Sequence, residues 1–209
     1  MVGDPPAPED PGGGDAGGVI VTAASANPDK VAELATLLGS RLRVVAAPDD
    51  YRPPPETGAD YAANARIKAR ELFLRLRRAA LADDSGLEVD ALGGRPGFHS
   101  ARYGASAADR NRRLLDELRG RVGSDRSARF RSALVLILDD GRELVAEGRC
   151  EGEIAVAPRG AGGFGYDPLF LVPELGRTFG ELAAGEKNRL SARGDAARAL
   201  LRELERIGV

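Results

Sequence analysis

The residues of this chain with the most evident chemistry are two adjacent carboxylates, Asp83 and Asp84, followed by the hydroxyl of Ser85 and by Gly86. Apolar residues stand on either side, Leu81 and Ala82 before them and Leu87 after. That pattern predicts a β-strand ending in a turn that carries polar groups out of a sheet. Adjacent aspartates are poor strand formers and costly to bury unpaired. A divalent cation held by hard oxygen ligands would account for them, and so would a solvated acidic turn. On these residues alone both readings stay open.

The basic residues add a second signal. Of 30 lysines and arginines only three are lysine: Lys30, Lys68 and Lys187. A chain that otherwise uses arginine keeps lysine where a compact ammonium is wanted, and phosphate oxygens are one such partner. Two glycine-dense loops follow the same logic. Gly162-Gly163-Phe164-Gly165-Tyr166-Asp167-Pro168 combines close backbone approach with an aromatic platform, although a tight turn with core aromatics would use the same residues. Gly93-Gly94-Arg95-Pro96-Gly97 runs into Phe98, His99, Arg102 and Tyr103, and side chains of that kind on a loop favour function. His99, the single histidine, reads as a loop or interface residue.

The elements that must position these groups alternate between strands and helices. Residues 19–24 are apolar and partly β-branched, as a buried strand requires. Ser25, Ala26, Asn27, Pro28, Asp29 and Lys30 then form a polar turn into a helix, with Asn27 as cap and Pro28 in the first turn. A helix N-terminus beside Lys30 could receive an anion, or could be an ordinary strand-to-helix connection. Residues 42–47 predict a second strand, and residues 48–58 a proline-rich loop containing Glu56. A long helix from residue 60 to about 78 puts Asn64 and Lys68 on one face, where each alone reads as a surface residue. Residues 129–138 and 143–150 predict a hairpin through Asp139-Asp140-Gly141, with residues 152–157 continuing the sheet. A terminal helix closes the chain, with Ala196, Leu200, Leu201, Leu204 and Ile207 as its apolar stripe. Residues 1–18 are Gly, Pro and Asp with almost nothing apolar, and predict a disordered tail ahead of a single domain over 19–209.

Composition bounds the function. At 43% hydrophobic and 30% charged, 209 residues describe an ordinary globular chain. A net charge of −2 offers no footprint for nucleic acid. No apolar run approaches the roughly 20 residues that span a bilayer, so no membrane partner is expected. One cysteine, Cys150, and no basic-then-apolar leader point to the cytoplasm. No G-x-x-x-x-G-K-[ST] or G-x-G-x-x-G loop is present.

In order and spacing these segments resemble the inosine triphosphate pyrophosphatase family over residues 19 to about 205. The resemblance is carried by Asn27-Pro28-Asp29-Lys30, Glu56-Thr57-Gly58, Asn64 with Lys68, and Ala82-Asp83-Asp84-Ser85-Gly86-Leu87. The loops at 93–97, 100–103 and 162–168 also carry it, as does Glu186-Lys187. All three lysines fall inside these segments.

The resemblance implies a mixed, elongated α/β sheet flanked by helices, in two lobes with the nucleotide cleft between them. It implies hydrolysis of inosine, deoxyinosine and xanthosine triphosphates to monophosphate and pyrophosphate, with Mg²⁺, by a homodimer that cleanses the nucleotide pool. Asp84 would be catalytic and, with Glu56, a ligand of magnesium. Ser25 to Lys30 would hold the triphosphate, and Ser85 would touch the nucleotide. Phe164, Gly165, Tyr166 and Asp167 would meet the base and sugar, with Phe164 stacking. Lys187 would neutralise phosphate, and Arg193 would donate to the purine 6-oxo group. Three positions depart from the family pattern. Ala192 replaces a histidine between Ser191 and Arg193, Pro55 replaces a second glutamate beside Glu56, and His99 lies where tyrosine is frequent. The first admits a pyrophosphatase of different or broader base preference, and a nucleotide-binding regulator without turnover is the remaining rival. If both Asp84 and Ser85 serve one nucleotide, the chain is expected to leave strand geometry by Ser85, with Gly86 making the bend.

Overall fold

A computed structural model describes residues 18–209; the tail expected over residues 1–18 lies outside them, apart from Gly18. The first helix forms where the sequence cues concentrate. Asn27 accepts from Asp29 N at 2.9 Å, Pro28 occupies the first turn, and α1 runs Pro28–Leu38. The same logic starts α2, Tyr61–Leu76, whose cap Asp60 accepts from the backbone of Ala63. It also starts α3, Ala107–Glu117, capped by Ser106. The last segment holds two helices rather than one: α4, Ala184–Leu190, breaks at Ser191, which caps α5, Ala192–Arg206.

Seven strands make one mixed sheet. In chain order they are β1 Val19–Ala23, β2 Leu42–Ala46, β3 Ala80–Val89, β4 Ser127–Ile137, β5 Glu143–Ile154, β6 Phe170–Val172 and β7 Arg177–Thr178. They lie in the order β2-β1-β3-β4-β5-β6-β7. β1 is parallel to β2 and β3, and every later pairing is antiparallel. The hairpin of β4 and β5 turns where expected, but β5 ends at Ile154, short of the predicted continuation through residue 157. Among the described residues no helix is long and apolar enough to cross a membrane.

Three large apolar clusters hold this sheet, beside a small one of Tyr61, Ala62 and Ala133. One packs α1 and α5 on one face through Leu34, Leu38, Leu81, Leu134, Leu200 and Leu204. Another packs α2 on the opposite face through Ala65, Ala69, Leu72, Ala80, Ala82 and Val135. The third covers the far end of the long strands, where Phe170 and Phe179 meet Leu87, Val89 and Leu114.

The acidic pair does not sit in a turn. β3 is continuous for ten residues, and Asp83, Asp84 and Ser85 pair in register with Leu134, Ala133 and Ser132 of β4. Nor does Gly86 bend the chain: it is in the strand, and a side chain there would collide with the Gly97 carbonyl and lie 2.7 Å from the Tyr61 hydroxyl. What makes the pair accessible is a difference in strand length. β1 pairs with β3 only at Ala80 and Leu81, and the loop after β3 rejoins its edge only at the Glu88–Pro96 bridge. Between them, on the β1 side, the edge of β3 has no strand neighbour among the described residues.

Candidate active site

Because side chains alternate along β3, its open edge carries a polar cluster on each face. On the α2 face, Lys68 Nζ donates to Asp84 Oδ1 at 2.8 Å, to Glu56 Oε1 at 3.1 Å and to the Asp83 carbonyl at 2.9 Å. Lys68 is therefore no surface lysine; it is 6% exposed. Asn64, one turn earlier, is also buried, contrary to its surface reading, because its Oδ1 accepts from Gly58 N at 2.8 Å and ties down the loop that carries Glu56. The second Glu56 oxygen meets Arg102 at 2.9 Å. Asp84 Oδ2 is buried and has no hydrogen-bond partner among the described residues.

The opposite face gathers Asp83 and Ser85. Asp83 Oδ1 accepts from Ser132 at 2.8 Å, and Oδ2 from Ser85 at 3.1 Å and Arg193 at 3.0 Å. Lys30 Nζ stands 2.7 Å from the same Oδ2. Arg193 also donates to Ser85 Oγ at 2.9 Å and to Glu33. Glu33 in turn meets Lys187 at 3.1 Å, and Lys187 meets Asp167 at 2.7 Å. Both Lys187 and Arg193 stand over the Phe164 ring, 4.6 and 5.7 Å from its centroid.

These surroundings divide the two aspartates. Burial disfavours an ionised Asp83, but Arg193 and Lys30 outweigh it and hold its carboxyl far below the usual carboxylate range. For Asp84 burial prevails over Lys68 and raises the pKa, with Glu56 adding to the rise. Burial likewise raises Asp167 despite Lys187. Lys68 shows the reverse balance: burial works against its charge, yet Asp84, Asp83 and Glu56 raise its pKa and keep it protonated. Asp83 is thus a saturated structural anion, and Asp84 a partly satisfied base.

Two openings adjoin the second cluster, and a third lies apart along the start of α1. A pocket of about 80 Å³ is lined by Ser85, Ser132, Phe164, Lys187, Ala192 and Arg193 among others. A groove of about 430 Å³ runs past Asp29, Glu33, Gly163, Phe164 and Lys187. A cleft of about 500 Å³ touches Ser25, Ala26, Pro28, Tyr51 and Arg52. Among the described residues no group of three or more Asp, Glu, His or Cys is arranged to hold a metal. Two carboxylates, one with a free buried oxygen, nevertheless suit Mg²⁺, which takes one or two protein carboxylates and completes its shell with water and substrate phosphate.

A family model described as the Ham1 family matches residues 21–203. The chain belongs to the Ham1 family. The dITP/XTP pyrophosphatase of Thermus thermophilus is 50% identical to this Ham1 chain over 188 residues, 88% of this chain and 91% of that protein. The dITP/XTP pyrophosphatase of Geobacillus kaustophilus is 46% identical over 90% of this chain and 95% of its own length. The solved Ham1 protein of Staphylococcus aureus superposes with a TM-score of 0.78 at 34% identity, covering 90% of this chain and 99% of that one. The mixed α/β architecture expected from sequence is therefore the Ham1 fold.

Within this Ham1 fold the structure brings together most, but not all, of the residues singled out from sequence. Lys30, Ser85, Phe164, Asp167, Lys187 and Arg193 share one cluster, and Glu56 and Asp84 share the other. Gly165 and Ala192 line the small pocket. Tyr166 lines it as well, but its ring packs in the core and its hydroxyl donates to the Ser100 carbonyl. Asp29 lines the groove, Asn27 is used as a helix cap, and Ser25, Ala26 and Pro28 border the separate cleft. Sequence reasoning missed Glu33, Ser132 and the anchoring roles of Asn64 and Lys68. Glu33 lies one helical turn after Lys30 and could have been found by that spacing. Ser132 had no sequence signal, since only strand register sets it beside Asp83.

Proposed function

We propose that this Ham1 protein hydrolyses inosine, deoxyinosine and xanthosine triphosphates to the monophosphate and pyrophosphate, removing them from the nucleotide pool. The reading agrees with the relatives named dITP/XTP pyrophosphatase. The observation that carries it is the buried, unpartnered Oδ2 of Asp84, an acceptor held ready beside a fixed ammonium. Asp84 orients the attacking water and takes its proton, and its raised pKa makes it a better base than an ordinary aspartate. Glu56 and Asp84 would hold Mg²⁺, which when bound offsets the negative charge of the phosphate oxygens. Lys30 and Lys187 turn from their carboxylates toward phosphate, Ser25 to Asp29 line its path, and Ser85 meets the nucleotide. Positioning and charge neutralisation dominate such reactions, so direct attack by water needs no covalent intermediate.

The purine would sit at Phe164, which lines both the small pocket and the groove, with Gly165, Tyr166 and Asp167 beneath base and sugar and Arg193 donating to the 6-oxo group. Two lobes with the nucleotide cleft between them belong to the same proposal. Adenine presents an amino group where hypoxanthine presents oxygen, so donors left unpaired reject it. Ala192, which carries no donor in its side chain, favours a second reading: the same hydrolysis with broader base preference. The cytoplasm and a homodimer belong to the proposal too, and light scattering should give twice the chain mass. Incubation with dITP and Mg²⁺ should release pyrophosphate; orthophosphate as the first product would sink the mechanism. Equal kcat/KM on dITP and dATP would decide for the broader preference.

A further inference from the structure

The Glu56 carboxylate is held by two cations of different character. Lys68 is buried and fixed on three acceptors: Glu56, Asp84 and the Asp83 carbonyl. Arg102 comes from a separate segment, the 3-10 turn Gly97–Arg102, and its side chain is 60% exposed. Among the described residues its one carboxylate partner is Glu56 Oε2, at 2.9 Å. A guanidinium carries five N–H donors in a planar fork, so most of Arg102's donors remain free in the mouth of the site. With Lys68 on one oxygen and Arg102 on the other, Glu56 is already neutralised, and Arg102 competes with a divalent ion for Oε2.

We propose that Arg102 is the exchangeable counter-ion of Glu56: it covers the carboxylate in the resting cleft and passes to the pyrophosphate portion of the substrate as Glu56 turns to the metal. This rests on the hydrolysis proposed above. Three features select Arg102 for the role. It is the exposed member of the cluster, so it moves at little desolvation cost; Lys68 would leave two carboxylates and a carbonyl behind. It reaches Glu56 from a separate turn with most of its side chain in solvent, so its departure disturbs no core packing. Its fork matches phosphate oxygens in pairs, which an ammonium does not. Arg102 is in this sense a positioning residue, coupling metal entry to the grip on the leaving group.

The role predicts two effects of opposite sign from one substitution. In titration calorimetry of the full chain with Mg²⁺ alone, Arg102→Gln should bind the ion about two- to fivefold more tightly, since an exposed competing ion pair has gone. With inorganic pyrophosphate titrated at saturating Mg²⁺, the same variant should bind about tenfold more weakly, having lost a charge-assisted contact. Arg102→Lys should restore the Mg²⁺ effect and only part of the pyrophosphate affinity. Unchanged Mg²⁺ affinity, or a loss of both affinities together, would overturn the proposal and leave Arg102 as a loop anchor. An unchanged thermal melt keeps misfolding out of either result. Failure of the hydrolysis itself shows separately, as wild-type protein that releases no pyrophosphate from dITP.

Discussion

Asp83 and Asp84 are chemically identical neighbours with opposite fates, and the difference lies in what each strand face offers. Asp84→Asn keeps the size and should keep the melting temperature, while pyrophosphate release from dITP falls about a hundredfold or more, the scale expected for loss of a general base. Asp83 is a stability residue. Asp83→Ala leaves Arg193 and Lys30 without their shared carboxylate and should cost about 3–5 kcal/mol in urea unfolding, as breaking a buried ion pair does. Its pH signature follows from linkage. The folded carboxyl is depressed below its ordinary value of 3.8, so its contribution is present above that pH and lost as pH falls below it. Unfolding free energy measured from neutral pH downward should therefore drop less steeply below about 3.8 in Asp83→Asn than in the wild type. Ala192→His, adding a donor at the small pocket, should raise the ratio of kcat/KM for dITP over dATP; an unchanged ratio would mean that Arg193 suffices.

At the scale of elements, the open edge of β3 lets one ligand meet residues from both faces of a sheet. β1 stops beside Leu81 while β3 continues to Val89, so the polar row from Asp83 to Ser85 borders the turn after β1 instead of another strand. Ligands of α/β sheets collect at such carboxyl ends of parallel strands. α5 must then bring Arg193 to that row, and it does so by lying unusually close to β5. A side chain on Gly148 would collide with the Ala192 carbonyl and the Ala196 backbone nitrogen. Gly148→Ala should cost about 1–3 kcal/mol through overpacking and should raise KM for dITP by shifting the start of α5. A stability loss with KM unchanged would show that Arg193 tolerates the shift.

At the scale of the whole molecule, the polar clusters lie among separate apolar clusters, and the long strands β3, β4 and β5 connect them. The first cluster, with α1 and α5, and the third, with Phe170 and Phe179, include different stretches of β3. The ion pairs that link α1, β3, α4 and α5 are short-range, so stability is expected to come chiefly from the apolar clusters. Phe170 is fully buried against Phe130 and Phe179. Phe170→Ala should lower unfolding free energy by about 3–5 kcal/mol. Removal of divalent ions with a chelator should abolish pyrophosphate release yet leave the melting temperature within a few degrees, because Lys68 neutralises Glu56 and Asp84 without them.

The sequence by itself determined the order of the main strands and helices, the cap at Asn27, the β4–β5 turn and the family. Each of these depends on residues close together in the chain, or on motifs whose order is itself the signal. Residue type alone singled out Asp84, Phe164 and the rare lysines Lys30 and Lys187, while Ser85 and Arg193 came with the family resemblance. Only the tertiary structure decided that the acidic pair is mid-strand, that Asn64 and Lys68 are buried, and that Ser132, Glu33 and Arg102 complete the clusters. The physical reason is that burial and ion pairing are set by contacts between distant segments. A local pattern can place a carboxylate on a strand, but it cannot say which strand stops short beside it or which cation arrives from 110 residues away, as Arg193 does at Asp83.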